Sequence, residues 1–355
     1  MEPLQITKVV APDEWESTSN IIYDRDALIE NSKDFVFSND LSLCNYLFNR
    51  DVMIPKNRIG SESSEGEVYR VNYTIPSGSL KNYEITGAFK ILPIMSPESM
   101  DKNNTEIIVA SSASELVKSG KSKYFPLVYV SGGCNDVTFY QGSKFTRPAY
   151  SYACMRKIYN TYPDKSRRIA ALEQQKQSAP EILKRIGDNQ NLCTDVTIPA
   201  NFIFSELAAE DLDSWAHKRH TRKAWKEILS GIITGIYDLH SNLGYCHNDL
   251  HFGNILITND LSPNNKLLSY VTYTEIPLIH DFGKSVPLDS ENRWEDIRHF
   301  FDSMAKLSGA TENDYLSQLS TDLLKEYVKL YEDESTHHQI DWGDYESIIN
   351  VIESS

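Results

Sequence analysis

The chain has 355 residues, 35 of them basic and 50 acidic, which leaves a formal net charge of −15. Such acidity excludes a general nucleic-acid or anionic-membrane binder and favours a basic partner. The length suffices for a substantial core and fits one two-part enzyme core with additions. No apolar run approaches the length of a bilayer span, and the first ten residues lack the basic and apolar regions of a signal peptide. The five cysteines, Cys44, Cys134, Cys154, Cys193 and Cys246, are scattered without C-x-x-C spacing. Together these features predict a reduced, soluble, intracellular protein, cytoplasmic or nuclear.

Residues 1–50 read as a polar, acidic extension that ends in the stretch Leu41–Phe48, whose apolar spacing predicts a short helix. From Ile59 onward, short apolar segments broken by Gly, Ser, Asn and Pro predict antiparallel strands at Glu67–Ile75, Tyr83–Leu92 and Leu127–Ser131. A helix over Thr105–Val117, with apolar residues three and four apart, is set between the last two. The charge then reverses. Residues 141–190 carry ten Lys and Arg against four Asp and Glu, a local excess of +6. This basic insert, about residues 132–198, reads as a solvated helical region or as a docking surface for an acidic partner.

Phe202–Ala208 reads as a buried strand, and the remainder of the chain as mostly helical. Over Arg222–Leu243, Leu229, Ile232, Ile233, Ile236 and Leu239 form one stripe ahead of a stop at Gly244. A later helix, Trp294–Leu307, is expected to bury Ile297, Phe300, Phe301 and Met304.

Two strings carry the chemistry. His247-Asn248-Asp249-Leu250-His251-Phe252-Gly253-Asn254 leads into the strand-like Ile255-Leu256-Ile257, and Asp281-Phe282-Gly283 begins 27 residues after Asn254, at the end of Ile276–Ile279. With Lys90 in Gly87-Ala88-Phe89-Lys90-Ile91-Leu92 and Glu106 in Thr105-Glu106-Ile107-Ile108, they resemble the protein-kinase-like superfamily over roughly residues 57–305. Within it they are similar to haspin-like atypical serine/threonine kinases and to kinases of large DNA viruses. The resemblance implies an α+β, bilobal fold: an antiparallel-sheet N-lobe at residues 51–204, containing the insert, and a helical C-lobe at 205–355. It also implies ATP and Mg2+ as cofactors and a protein hydroxyl as acceptor. If the chain is viral, its location would be the host cell or the virion.

The resemblance assigns roles residue by residue. Asp249 becomes the general base for the acceptor hydroxyl. Asn254 and Asp281 offer oxygen ligands to magnesium, and Lys90 reaches the α and β phosphates. A helical carboxylate should pair with Lys90; Glu106 and Glu115 both qualify, with Glu106 preferred. His251 stands where many kinases place a lysine that meets the γ-phosphate, and His247 is expected to pack under the metal loop. In the phosphate-covering segment, Ile59, Gly66 and Val68 keep the pattern while Ser61 and Ser63 replace two glycines. Ala88 would line the adenine site, and Glu206 and Ala208 would offer it backbone groups, with Ser205 beside the back pocket.

Two departures stand out. Asn248 replaces an arginine that pairs with a phosphorylated loop in conventional kinases, and about a dozen residues separate Gly283 from the helix that holds Asp296. Such a short segment also occurs in small-molecule kinases of the aminoglycoside and choline type. The serine-substituted loop and Asn248 leave a pseudokinase scaffold as a further alternative.

Overall fold

The computed structural model describes residues 25, 29, 53–59, 66–74, 84–94, 97–134, 199–260, 274–311, 314–332 and 341–355. The predicted helix at Leu41–Phe48 and nearly all of the basic insert lie outside them. The fold is α+β, with an antiparallel sheet followed by a mainly helical part.

Five strands, β1 (Met53–Ile59), β2 (Glu67–Thr74), β3 (Glu84–Pro93), β4 (Val128–Cys134) and β5 (Ala200–Glu206), pair in the order β1-β2-β3-β5-β4. β1 was not anticipated, because Pro55 breaks its pattern; the strand accommodates it at an irregularity between Pro55 and Asn57 on the sheet edge. β3 explains the sheet's two faces. Ile85, Gly87, Phe89 and Ile91 are buried on one side, while Ala88 and Lys90 turn to the other. The buried side joins Phe89, Phe202, Phe204, Tyr73 and Tyr129 in an aromatic cluster with ring centroids 5.1–5.7 Å apart.

Between β3 and β4 lies α1 (Pro97–Lys118), longer at its start than the apolar spacing suggested. It buries Val109, Ala110, Ala113, Leu116 and Val117. Two polar stitches fix its position. Asn103 donates to the carbonyls of Leu92 and Pro93 at 3.0 and 3.2 Å, and the Val128 N–H donates to Ser114 Oγ at 2.8 Å.

After β5 come β6 (Glu210–Asp211), α2 (Leu212–Ala216) and α3 (Arg222–Asp238). The anticipated stripe is the buried face of α3, but the helix does not run on to Leu243. Its last turn, Leu239–Leu243, widens to a π-helical turn and leaves through Gly244 at φ 67°. Short β7 (Tyr245–Cys246) follows, then β8 (Ile255–Asp260) paired with β9 (Thr274–Ile279), and β10 (Val286–Pro287), which returns to pair with β7. Three helices complete the chain: α4 (Glu295–Thr311), α5 (Asp314–Glu332) and α6 (Trp342–Ser354). Ile297, Phe300, Phe301, Met304 and Leu307 of α4 are all buried.

The expectation of five reduced cysteines is corrected at Cys134, which is disulfide-bonded to a partner outside the described residues. Sequence spacing misses such pairs because bonding depends on spatial approach of the two Cβ atoms. Cys246 is a buried free thiol. Among the described residues no helix is long and apolar enough to cross a membrane.

Candidate active site

Three separate elements deliver one charged cluster. Lys90, on the open face of β3, places Nζ 2.5 Å from Glu106 Oε1 on α1 and 2.8 Å from Asp281 Oδ1 after β9. Glu115, the other helical candidate, is exposed and pairs with Lys118 on its own helix. Burial alone would lower the Lys90 pKa. The two carboxylates more than reverse that, and the ammonium stays charged well above its ordinary value. Asp281 shows the converse: burial would raise it, but Lys90 and His280 hold it well below the usual carboxylate range. Burial drives Glu106 upward, with Lys90 only partly offsetting it.

Gly283 lies tight against this cluster. A Cβ there would lie 3.0 Å from Lys102 Cε and 3.2 Å from Glu106 Oε2. Asp281 itself adopts the left-handed conformation, φ 65° and ψ 63°, which is strained for a non-glycine residue and aims its carboxylate back toward Lys90. Phe282 locks the turn from beneath, between Phe125 and His247 at centroid distances of 6.3 and 5.3 Å. His247 Nε2 hydrogen-bonds the carbonyl of His280 at 2.8 Å.

The loop from His247 to Asn254 hangs from a buried carboxylate that sequence reasoning overlooked. Asp296, fully buried in the first turn of α4, accepts the backbone N–H groups of His247 and Asn248, both at 2.7 Å. His240 Nε2 lies 2.9 Å from the same carboxylate, and its Nδ1 lies 2.6 Å from the Tyr345 hydroxyl. Asn248 has φ 62°, a conformation asparagine tolerates better than most residues.

Asp249 and Asn254 then follow as neighbours. Asn254 Nδ2 donates to the Asp249 carbonyl at 2.9 Å, which leaves the amide oxygen as the side chain's group suited to a cation. The Asn254 carbonyl in turn accepts the His280 N–H at 3.1 Å, tying this turn to the one that carries Asp281. An amide oxygen and an ionised carboxylate are hard ligands of the kind magnesium takes, so these residues fit the implied ion. Asp249 Oδ2 lies 2.9 Å from Lys284 Nζ and 4.0 Å from His251 Nε2. His251 caps its own turn, accepting the Gly253 N–H on Nδ1 at 3.1 Å.

The residues expected to contact nucleotide are partly gathered. Ile59, Val68, Lys90 and Ile203 are opposite one another across four strands, and Arg70, Ala88 and Ser205 form another such row, so each row shares a sheet face. Gly66 is buried where a Cβ would meet the Ile91 carbonyl oxygen at 2.5 Å, giving that glycine a packing requirement as well. Ser61 and Ser63 lie outside the described residues. Ala208 is half-buried between β5 and β6.

The Glu206 N–H donates to the Leu127 carbonyl at 2.8 Å. Its carboxylate accepts Arg25 Nε at 3.0 and 3.1 Å and the Leu127 N–H at 3.1 Å. Arg25 also donates to the carbonyls of Lys123 and Phe125. Thus a residue of the N-terminal extension braces the back of this strand end, a long-range pairing with no local signal in the sequence.

Two acidic residues after β5, Glu210 and Asp211, are already engaged. Lys218 Nζ lies 2.6 Å from Glu210, and Asp211 caps α2 through the Ser214 N–H. Burial pushes the His280 pKa down to about 4, and His251 Nε2 faces Asp249 at 4.0 Å. His240, Cys246 and Asp296 lie close enough to suggest a metal cluster, but His240 and Asp296 are already spent on the contacts above and Cys246 donates to the Asn292 carbonyl. Neither a family model nor a curated protein matches this chain.

Proposed function

We propose that this chain is an ATP-dependent atypical serine/threonine protein kinase with a bilobal kinase-like fold, using ATP and Mg2+. The observation that carries the reading is the Lys90–Glu106–Asp281 cluster, drawn from β3, α1 and the turn after β9. Few structural roles call for a half-buried lysine shared by two carboxylates beside a turn that holds an oriented amide. A nucleotide triphosphate calls for all of them.

In this reading Lys90 binds the α and β phosphates and Glu106 keeps its ammonium aimed at them. Asp281 and Asn254 hold magnesium, which neutralises charge on the phosphates when bound. Asp249 accepts the proton of the acceptor hydroxyl as the oxygen attacks. The fixed loop under Asp296 supplies alignment, since a mispositioned base forfeits much of the gain from proximity.

A second reading, a small-molecule kinase, is favoured by one observation. β10 pairs with β7 directly after Lys284, and α4 begins at Glu295, which leaves little chain to position a peptide. The test is incubation of purified protein with labelled ATP, magnesium and a panel of basic, acidic and neutral proteins, alongside aminoglycosides and choline. Asp281→Asn should weaken Mg-ATP binding strongly and Asp249→Asn should not, although both should lose transfer by several orders of magnitude. Label on the small molecules alone would select the second reading. No Mg-ATP binding and no transfer would leave a scaffold.

A further inference from the structure

We infer that Lys284 is the catalytic cation that meets the transferring phosphoryl group beside Asp249, the part first assigned to His251. The inference rests on the kinase reading and names a residue that reading did not use. A phosphoryl group in flight spreads negative charge over its equatorial oxygens. At the acceptor end it must approach the carboxylate of Asp249, so the site needs a positive group on that side. Lys90 is already held by Glu106 and Asp281, whereas Asp249 has no contact with it among the described ion pairs.

His251 is poorly placed for the task. Its Nδ1 is taken up by the Gly253 N–H at 3.1 Å, and its Nε2 is 4.0 Å from Asp249. Lys284 instead brings Nζ within 2.9 Å of the same Asp249 oxygen. Its main chain is fixed from both sides. Phe282 is buried two residues before it in the same turn, Ser285 N–H closes that turn on the Phe282 carbonyl at 3.0 Å, and Val286 pairs with Cys246. Asn248 Nδ2 also approaches the Lys284 carbonyl, at 3.4 Å. The side chain remains about half exposed, 49 %, so its long stem can carry the ammonium from Asp249 onto an incoming phosphate oxygen.

The step balances without a further reactant. The acceptor hydroxyl loses its proton to Asp249 while its oxygen forms the new bond to phosphorus. The bond from phosphorus to the bridging oxygen breaks, and its electron pair leaves with ADP. Lys284 keeps its proton throughout and acts by charge alone.

The test compares Lys284→Met, Lys284→Arg and His251→Gln in the full-length protein. Transfer to mixed histones and casein is measured, together with release of labelled phosphate to water, which needs no particular acceptor. Mg-ATP affinity is measured by calorimetry. Lys284→Met should lower kcat about 10²–10³-fold, the scale of losing one preorganised charge-stabilising group, while changing Mg-ATP affinity less than about threefold. Lys284→Arg should recover at least about tenfold of that loss, and His251→Gln should stay within about tenfold of wild type. The inference is overturned if Lys284→Met keeps its kcat, if Lys284→Arg is as impaired as Lys284→Met, or if His251→Gln is the more damaging change. An active wild type with any of those outcomes refutes this inference alone; an inactive wild type that does not bind Mg-ATP refutes the kinase reading and this inference with it.

Discussion

Replacing Asp296 by Asn should loosen the whole loop that carries Asp249, and the size of the effect follows from three bonds. One carboxylate oxygen accepts the Asn248 N–H at 2.7 Å; the other accepts the His247 N–H at 2.7 Å and faces His240 Nε2 at 2.9 Å. An amide of the same shape has a single acceptor oxygen. In its better orientation it serves His247 and His240, and its NH2 then faces the Asn248 N–H. One buried backbone donor is orphaned, costing about 1–3 kcal/mol, and the surviving bonds lose their charge assistance, roughly 1 kcal/mol each. A loss of about 3–5 kcal/mol is therefore expected in urea unfolding at neutral pH. Phosphate transfer should fall as well, because the Asp296 bond helps hold Asn248 at φ 62°, next to Asp249. Glu295→Gln, one residue away but solvent-facing and paired with Arg298, should cost under about 1 kcal/mol. A loss below about 1 kcal/mol for Asp296→Asn, with activity intact, would refute the idea that this carboxylate suspends the loop.

Two further outcomes follow from the same geometry. Burial alone would raise the Asp296 pKa, but His240 and the His247 N–H bring it down to about 2. A depressed carboxylate contributes stability above its unfolded pKa and loses it as pH falls, so the stability gap between wild type and Asp296→Asn should narrow by about 1 kcal/mol from pH 5 to pH 3 in urea titrations; a constant gap would contradict the shift. In the cleft, Glu106→Gln should reduce initial rates at least about 100-fold by removing a partner 2.5 Å from Lys90, whereas Glu115→Ala should stay within about twofold. Equal effects would show that Lys90 does not depend on its helical partner.

The strands and helices with clean periodicity could be read from the chain alone. β3 alternates faithfully enough to place Lys90 opposite Phe89, and the α3 stripe is buried as its spacing implied. The misses have physical causes. Pro55 concealed an edge strand that tolerates it through an irregular register. The bracing of Glu206 by Arg25 was invisible because the two residues are 181 apart along the chain. Asp296 looked like an ordinary first-turn acid on an amphipathic helix, since acids are favoured there in any case. Lys284 is one residue beyond a recognisable motif, and its nearness to Asp249 depends on the turn at Phe282, which no linear pattern encodes.

The sheet order has a consequence for how this protein can change. Cys134 and Ala200 are register partners at the end of the β4–β5 ladder, although about 65 residues separate them along the chain. Closing so long an excursion costs only about 2–3 kcal/mol more than closing a four-residue turn, because the penalty grows logarithmically. Among the described residues β4 is also an edge strand, two places from the β3 lysine. Chain length between β4 and β5 can therefore change at the rim of the sheet at little cost, while the strand pairs that carry Lys90 keep their register.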